Sequence, residues 1–147
     1  MFQVYRGALG TLAMIVGLGG CAATEVATAS PGQDIAGKQF NPAPAGLGAV
    51  YFYYPATVGP AINVGVGPQM VSQLGPMTWA RVELGPGWHV LRCRGPNGGG
   101  SFSMPVSPGD MRFVEVQEPV GAPACGIQET PPGPGRAGVM AGTRAAQ

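Results

Sequence analysis

Glycine and proline stand between short apolar runs along residues 49–129, and this punctuation limits the chain to strands joined by tight turns. The 147 residues include 26 Gly and 16 Pro, a content that is also typical of disordered chains. However, 45% of the residues are hydrophobic and only 10% are charged, whereas disordered chains are poor in apolar residues and rich in charge. The composition therefore favours one small β domain.

The apolar runs alternate with the two-residue period of half-buried strands. Ala80, Val82 and Leu84, for example, lie on one face, opposite polar neighbours. The runs cover 49–54, 61–66, 78–84, 88–94, 101–106, 111–118 and, more briefly, 125–129. Their spacing predicts an all-β fold, a small antiparallel β-sandwich of about six or seven strands, with a four-strand meander over 78–118.

Two Pro-Gly pairs mark turns between these strands. In 85–88, Pro86 presets φ at the second turn position and Gly87 accepts a positive φ at the third, which is typical of a type II turn. Ser107-Pro108-Gly109-Asp110 repeats the pattern.

The first 20 residues have the organisation of a signal peptide. Arg6 and the free amine supply positive charge, and residues 8–18 form an uncharged apolar run. A membrane-spanning helix needs about 20 apolar residues, so this run is too short to be a permanent anchor.

The end of that run resembles a bacterial lipobox, with Leu18, Gly19 and Gly20 before Cys21. Small residues give a peptidase access to the backbone, and the thiol of Cys21 is the nucleophile that accepts a diacylglyceryl group. The alternative is an ordinary secretory leader cleaved after Ala29, which lies far beyond the apolar run. The pattern predicts a mature protein that begins at a lipidated Cys21.

Several acyl chains, such as palmitate, hold a protein stably on a membrane, because each buried methylene contributes about 0.8 kcal/mol. Residues 22 and 23 are Ala. In similar Gram-negative lipoproteins, an Asp at this place retains the protein at the inner membrane. We therefore expect a bacterial envelope protein on the periplasmic face of the outer membrane.

Low-complexity segments flank the predicted domain on both sides. Residues 21–48 are rich in Ala, Gly, Pro, Ser and Thr and predict a flexible linker, which as a coil of about 27 residues spans roughly 30 Å. A first strand at Lys38-Gln39-Phe40 is the alternative for part of it. The β-sandwich domain covers 49–129, and residues 130–147 predict a disordered tail.

The segment Pro86-Gly87-Trp88-His89 resembles the Pro-Gly-x-His turn of a family of bacterial lipoprotein domains of unknown function. Those domains are transthyretin-like or carboxypeptidase-regulatory-like sandwiches, with an aromatic strand before this turn and a Pro-Gly turn after it. Residues 51–54 and 108–113 match that order, although Met111-Arg112-Phe113 stands where a tyrosine pair is usual. The resemblance covers about 49–117 and implies a fold and a location, but no catalytic residue.

Cys93 and Cys125 remain once Cys21 is acylated. An even number of cysteines in an oxidising compartment favours a disulfide, which would fasten the last strand to the meander. The alternative is a pair of free thiols, one of them buried. No Cys-x-x-Cys spacing indicates a redox-active pair.

Other residues with chemical potential have ordinary structural interpretations. His89 is the only histidine, and because no further ligands accompany it we expect a hydrogen-bonded strand residue and no metal site. Arg92 and Arg94 share a strand face and are candidates for ion pairs with Glu83 or Glu115. Four aromatic residues have two possible roles, namely a binding surface for sugars or peptides and packing within the sheets, and packing is favoured: Tyr51, Tyr53, Trp79 and Trp88.

The charge balance and the motifs exclude several classes of function. Removal of residues 1–20 leaves seven basic residues against seven acidic ones, so nucleic-acid binding is not expected. The sequence contains no nucleophile elbow, phosphate loop or dinucleotide fingerprint, which argues against an enzyme or a cofactor. We expect a membrane-anchored structural or protein-interaction component with an envelope protein partner; the alternative is a small binding module for cell-wall glycan or peptide ligands.

Overall fold

Two β-sheets packed face to face form the body of the protein, in a computed structural model that describes residues 25–119, 121 and 124–147. In chain order the elements are α1 (Pro31–Gly37), β1 (Gly48–Tyr54), β2 (Ile62–Val66), β3 (Gln69–Leu74), β4 (Thr78–Leu84), β5 (Gly87–Gly95), β6 (Gly98–Val106), β7 (Met111–Gln117), β8 (Gly126–Thr130), α2 (Pro132–Ala141) and β9 (Thr143–Arg144). The predicted small β-sandwich is confirmed. The described ranges hold nine strands, more than the six or seven predicted, and two short helices that were not predicted.

Strand β1 lies at the centre of the larger sheet. All seven of its residues are buried, so it needs a neighbour along each edge and a layer over each face. The five-stranded sheet has the order β8-β7-β1-β4-β9, in which β1 runs antiparallel to β4 and parallel to β7. The four-stranded sheet has the order β3-β2-β5-β6 and is antiparallel throughout.

The predicted four-strand meander over 78–118 is wrong, because its first and last strands flank β1. Strands β4 and β7 occupy the two edges of β1, so the turns at 85–86 and 107–110 carry the chain from one sheet to the other. Only β5 and β6 remain paired as a hairpin. Alternation predicted which residues face inward, but it carries no information about which strands pair.

The core between the sheets uses the apolar faces that the alternation predicted. Ile62, Val64, Met104 and Val106 are buried there, and Phe102 packs against them. Strand β1 contributes its own alternate residues, Val50, Phe52 and Tyr54. Complete burial of one such side chain stabilises the folded state by about 1.5–3 kcal/mol.

The outer face of the five-stranded sheet holds a second apolar cluster. Ala49, Tyr51 and Tyr53 of β1 lie there beside Trp79 and Phe113, all of them buried. Helix α1, the segment that follows it and helix α2 cover this cluster. The protein is therefore a sandwich with a third, partial layer on one side.

The flexible linker predicted over 21–48 is contradicted from residue 27 onward, because this segment supplies part of the third layer. Ser30 begins α1 with a capping box: its hydroxyl accepts from the backbone N–H of Gln33, and the Gln33 side chain accepts from the backbone N–H of Ser30. Phe40 then packs against the aromatic cluster. Residues 38–40 do not form the alternative strand, and Phe40 has a φ of +52°. Both faces of β1 are apolar, so the outer face requires a cover.

The disordered tail predicted over 130–147 is also contradicted. Residues 132–141 form α2, whose Gly135 and Gly138 lie directly against Phe113 and Tyr53. After α2, β9 pairs in parallel with β4. Glycine, which indicated disorder in the sequence, here lets a helix approach the sheet closely.

The two ends of the described chain are hydrogen-bonded to each other. The backbone N–H of Ala29 donates to the carbonyl of Arg144 at 2.8 Å, and that of Ala146 donates to the carbonyl of Ala27 at 2.9 Å. The predicted signal peptide and lipobox, with Cys21, lie outside the described residues. Within the described ranges, neither helix has the length and apolar content to cross a membrane.

The predicted bond between Cys93 and Cys125 is confirmed. Cys93 lies in β5 of the four-stranded sheet, and Cys125 immediately precedes β8 of the five-stranded sheet, with their Cα atoms 6.2 Å apart. The disulfide therefore joins the two sheets across the core.

Candidate functional site

One sheet surface carries no further layer among the residues that the structure describes: the outer face of the four-stranded sheet. The five-stranded sheet is covered on both sides, by the core on one and by the helices on the other. We call the uncovered surface the open face. Its residues are Asn63 and Gly65 of β2, Met70 and Gln73 of β3, Trp88, Val90, Arg92 and Arg94 of β5, and Ser101, Ser103 and Pro105 of β6.

Three large apolar side chains are exposed on the open face. Trp88 is 74% exposed, Met70 69% and Val90 37%. Trp88 and Val90 point to the same side of β5 because they are two residues apart. Exposed apolar residues are common singly, whereas a group on one flat sheet face is typical of an interaction surface.

The other half of the open face is cationic. Arg92 pairs in register with Gly65 on one side and Ser101 on the other, and Arg94 pairs with Asn63 and Gly99. None of these neighbours carries a charge, so none of them can form an ion pair with either arginine. Strands β2, β3, β5 and β6 contain no Asp or Glu at all.

The suggested cross-strand ion pairs of Arg92 and Arg94 are not formed. Glu83 lies in the other sheet and binds Arg81 at 3.1 Å. Glu115, also in the other sheet, accepts a hydrogen bond of 2.9 Å from the hydroxyl of Tyr53. The suggested ion pairs do not form because they require the strands over 78–118 to lie side by side in one sheet.

A shallow hollow of about 640 Å³ lies among these arginines. A β-bulge between Val64 and Gly65 shifts the register of β2 against β3 and helps to shape it. Met70, Arg92 and Ser101 are part of its lining. The hollow is open, and both polar and apolar side chains line it.

The turn that resembles the Pro-Gly-x-His family lies at the edge of the open face. Gly87 has a φ of +132°, the positive value that the Pro86-Gly87 pair predicted. The Nε2 atom of His89, which is half-buried, donates a hydrogen bond of 2.8 Å to the carbonyl of Gly85. His89 thus closes the turn that presents Trp88, as the structural interpretation expected.

Three of the four aromatic residues considered for a binding surface are packing residues. Tyr51, Tyr53 and Trp79 are at most 3% exposed, and Trp88 alone is accessible. The ring of Tyr51 stacks on that of Phe113 with centroids 5.3 Å apart. Sheet packing, which the sequence favoured, is confirmed for these three.

Tyr51 and Tyr53, the buried tyrosines on the outer face of β1, act as hydrogen-bond donors, and the hydroxyl of Tyr51 donates to the carbonyl of Gly37 at 3.1 Å. Burial raises the pKa of Tyr51 above its ordinary value of 10.0, although Arg81, whose Nη1 donates to the hydroxyl at 3.0 Å, opposes this. Burial likewise raises the pKa of Tyr53, whose hydroxyl donates to Glu115. Both phenols stay protonated at neutral pH and serve the fold.

The described residues contain no group of three His, Cys, Asp or Glu side chains placed to hold a metal ion. Comparison of the chain with protein-family models, with curated proteins and with solved structures finds no match. The resemblance to the transthyretin-like lipoprotein domains therefore stays a prediction.

Sequence reasoning missed the open face as a unit. It identified Arg92, Arg94 and Trp88 separately, but Met70 and Val90 were not noticed. The sequence nevertheless contained a signal. Four residues occupy alternate positions of one strand: Trp88, Val90, Arg92 and Arg94. In addition, the chain has no acidic residue over 35–82 or over 84–109.

Proposed function

We propose that this protein is a lipid-anchored component of the bacterial cell envelope that binds a partner protein through its open face. The anchor rests on the sequence: a signal peptide over 1–20 and the lipobox that ends at Cys21. The Ala residues at 22 and 23 favour the periplasmic face of the outer membrane.

The fold limits the distance between the domain and a membrane to which Cys21 is anchored. Ala27 already belongs to the folded domain through its bond to Ala146. Six residue steps separate Cys21 from Ala27, and a fully extended chain of that length reaches at most about 22 Å. A domain anchored at Cys21 is therefore held close to the bilayer.

The observation that carries the interaction role is the contrast between the two sheets. The helices cover the aromatic centre of the outer face of the five-stranded sheet, whereas the four-stranded sheet leaves Trp88, Val90 and Met70 in solvent. Large apolar side chains left exposed on one uncovered sheet face are typical of a protein contact surface.

A second candidate is a small binding module for a cell-wall glycan or peptide. The exposed ring of Trp88, next to the polar hollow, is the observation that favours it. A protein contact explains more of the surface, because Val90 and Met70 are aliphatic and offer no ring for a sugar to stack on.

Site-specific photo-crosslinking in intact cells tests the interaction. Benzoyl-phenylalanine at position 90 should yield a defined protein adduct. The same probe at position 35 or 140 should not, because Ile35 and Met140 lie on the helices, although they are more exposed (62% and 54%) than Val90 (37%). A glycan adduct at position 90 would support the second candidate, and the absence of any adduct specific to position 90 would refute the proposed contact.

Substitution Cys21→Ser tests the anchor separately. The substituted protein should leave the membrane fraction and appear in the soluble envelope fraction. Retention in the membrane would show that the lipobox interpretation is wrong.

A further inference from the structure

We infer that the partner of the open face is an acidic protein surface, which places carboxylates on Arg92 and Arg94 beside an apolar residue that contacts Trp88 or Val90. This inference rests on the proposed function and specifies the chemistry of the partner. Its basis is the distribution of charge over the two sheets, the surroundings of the two arginines and the order of residues along β5.

Charge is segregated between the two sheets. The acidic residues all lie outside the four strands of the open face: Glu25, Asp34, Glu83, Asp110, Glu115, Glu118 and Glu129. Lys38 and Arg81 each form a salt bridge with one of them and Arg112 with two, whereas Arg136 and Arg144, on the side of the helices, form none within the described residues. Arg92 and Arg94 have no salt bridge within the described residues. Arg92 and Arg94 are thus the only charged residues in the four strands of the open face, and both are basic.

The backbone register keeps the two guanidinium groups available to a ligand. Arg92 lies between Gly65 and Ser101, and Arg94 lies between Asn63 and Gly99, so no neighbouring side chain on the face can neutralise them. Residues two apart on one strand face are separated by about 7 Å. Each planar guanidinium can hold one carboxylate with two parallel hydrogen bonds, which Lys cannot do.

The order of residues along β5 gives the site an apolar end and a cationic end. Trp88 and Val90 come first and Arg92 and Arg94 follow, all on the same side of the strand. A complementary partner therefore has carboxylates about 7 Å apart with an apolar side chain next to them. The aliphatic side chains of Val90 and Met70 favour an apolar amino-acid side chain over a sugar ring as the neighbour of those carboxylates.

The test uses the full, lipidated protein with benzoyl-phenylalanine at position 90 in isolated membranes. Neutralising both arginines, Arg92→Gln with Arg94→Gln, should lower the adduct yield by roughly a hundredfold, about tenfold for each guanidinium group that is removed. Arg136→Gln, which removes an exposed charge from α2, is the matched control and should leave the yield unchanged. Raising the salt concentration should lower the adduct yield of the protein that keeps both arginines, and it should have little effect on the yield of the double variant.

The adduct itself decides the class of partner. Sequencing of the crosslinked peptide should find at least two Asp or Glu residues close to the crosslinked position. An adduct that forms equally in the double variant, or that maps to a neutral or basic peptide, overturns the acidic partner while leaving the proposed contact in place. A polysaccharide adduct also overturns it. Equal unfolding midpoints of the wild-type and double-variant proteins exclude misfolding as the cause of a lower yield.

Discussion

The indole Nε1 of Trp79 donates a hydrogen bond of 3.1 Å to Oδ1 of Asp34, and this contact fixes helix α1 to the five-stranded sheet. The same oxygen accepts a bond of 2.7 Å from the backbone N–H of Arg144 in β9. The other carboxylate oxygen lies 2.8 Å from Nζ of Lys38. One side chain thus joins the beginning of the folded chain, its central sheet and its C-terminal strand.

Replacement of Asp34 by Ala should therefore destabilise the protein. Trp79 is completely buried, so its N–H would lose its acceptor without gaining water. Leaving a buried donor unsatisfied costs about 1–3 kcal/mol, which a urea unfolding curve at neutral pH resolves. Asp34→Asn is the control, because its Oδ1 still accepts from Trp79 and Arg144; we expect a loss below about 1 kcal/mol. Equal losses for the two variants would contradict this account.

Asp34 should also give stability a dependence on acid pH. Burial opposes its ionisation, but hydrogen bonds from Lys38, Arg144 and Trp79 and the charge of Lys38 outweigh burial and hold its pKa below the ordinary 3.8. Because the unfolded chain takes up the proton first, this stabilisation is complete above about pH 5 and is lost as the pH falls through 3.8 towards the lower folded value.

The measurement for this pH dependence is the free energy of unfolding between about pH 2.5 and 6. The wild-type slope below about pH 4 should be steeper than that of Asp34→Asn. Asp110→Asn is a useful comparison, because hydrogen bonds from the backbone N–H of Ser107 and from Arg112 also lower the pKa of Asp110. Each substitution should reduce the slope of the unfolding free energy against pH. Identical slopes in all three proteins would refute the lowered pKa values of Asp34 and Asp110.

The fate of the two tryptophans shows what sequence could predict and what it could not. Trp79 and Trp88 both occupy outward positions in alternating strands, yet Trp79 is buried and Trp88 is 74% exposed. Alternation correctly predicted the inner faces and the sandwich. Whether an outer face is covered depends on distant segments, here α1 and α2, whose glycine and proline content resembled a linker and a tail.

The candidate site was partly predictable, because alternation predicts which residues of a strand share a face but not which strands are neighbours. Local alternation places Arg92 and Arg94 on one side of a strand, and the turn chemistry of Pro86 and Gly87 predicts the strand start that exposes Trp88. The neighbours of the arginines on β6 follow from the predicted pairing of consecutive strands, but Gly65 was not predictable as a neighbour, because alternation does not determine that β2 pairs with β5.

Two glycines of α2 offer a sharp test of the third layer. A Cβ on Gly138 would overlap the ring of Tyr53, and one on Gly135 would overlap Phe113, so Gly138→Ala or Gly135→Ala should cost about 1–3 kcal/mol. A Cβ on Gly133 meets nothing within 4 Å. Gly133→Ala should therefore be neutral or stabilise the protein by up to about 1 kcal/mol, since Ala favours a helix. Urea unfolding of the three variants checks this, and a freely mobile tail predicts no difference among them.

The disulfide between Cys93 and Cys125 should contribute strongly to stability, because the sequence separation of 32 residues makes the closed loop long. The chain-entropy model gives about 3–4 kcal/mol for a loop of this size. The double substitution Cys93→Ala with Cys125→Ala should lower the free energy of unfolding by that amount. Dithiothreitol should lower the wild-type midpoint similarly and leave the double variant unchanged, which separates removal of the crosslink from poorer packing. Denatured, unreduced mature protein should show no reactive thiol, and labelling of two sulfhydryls would mean that the bond does not form in the native protein.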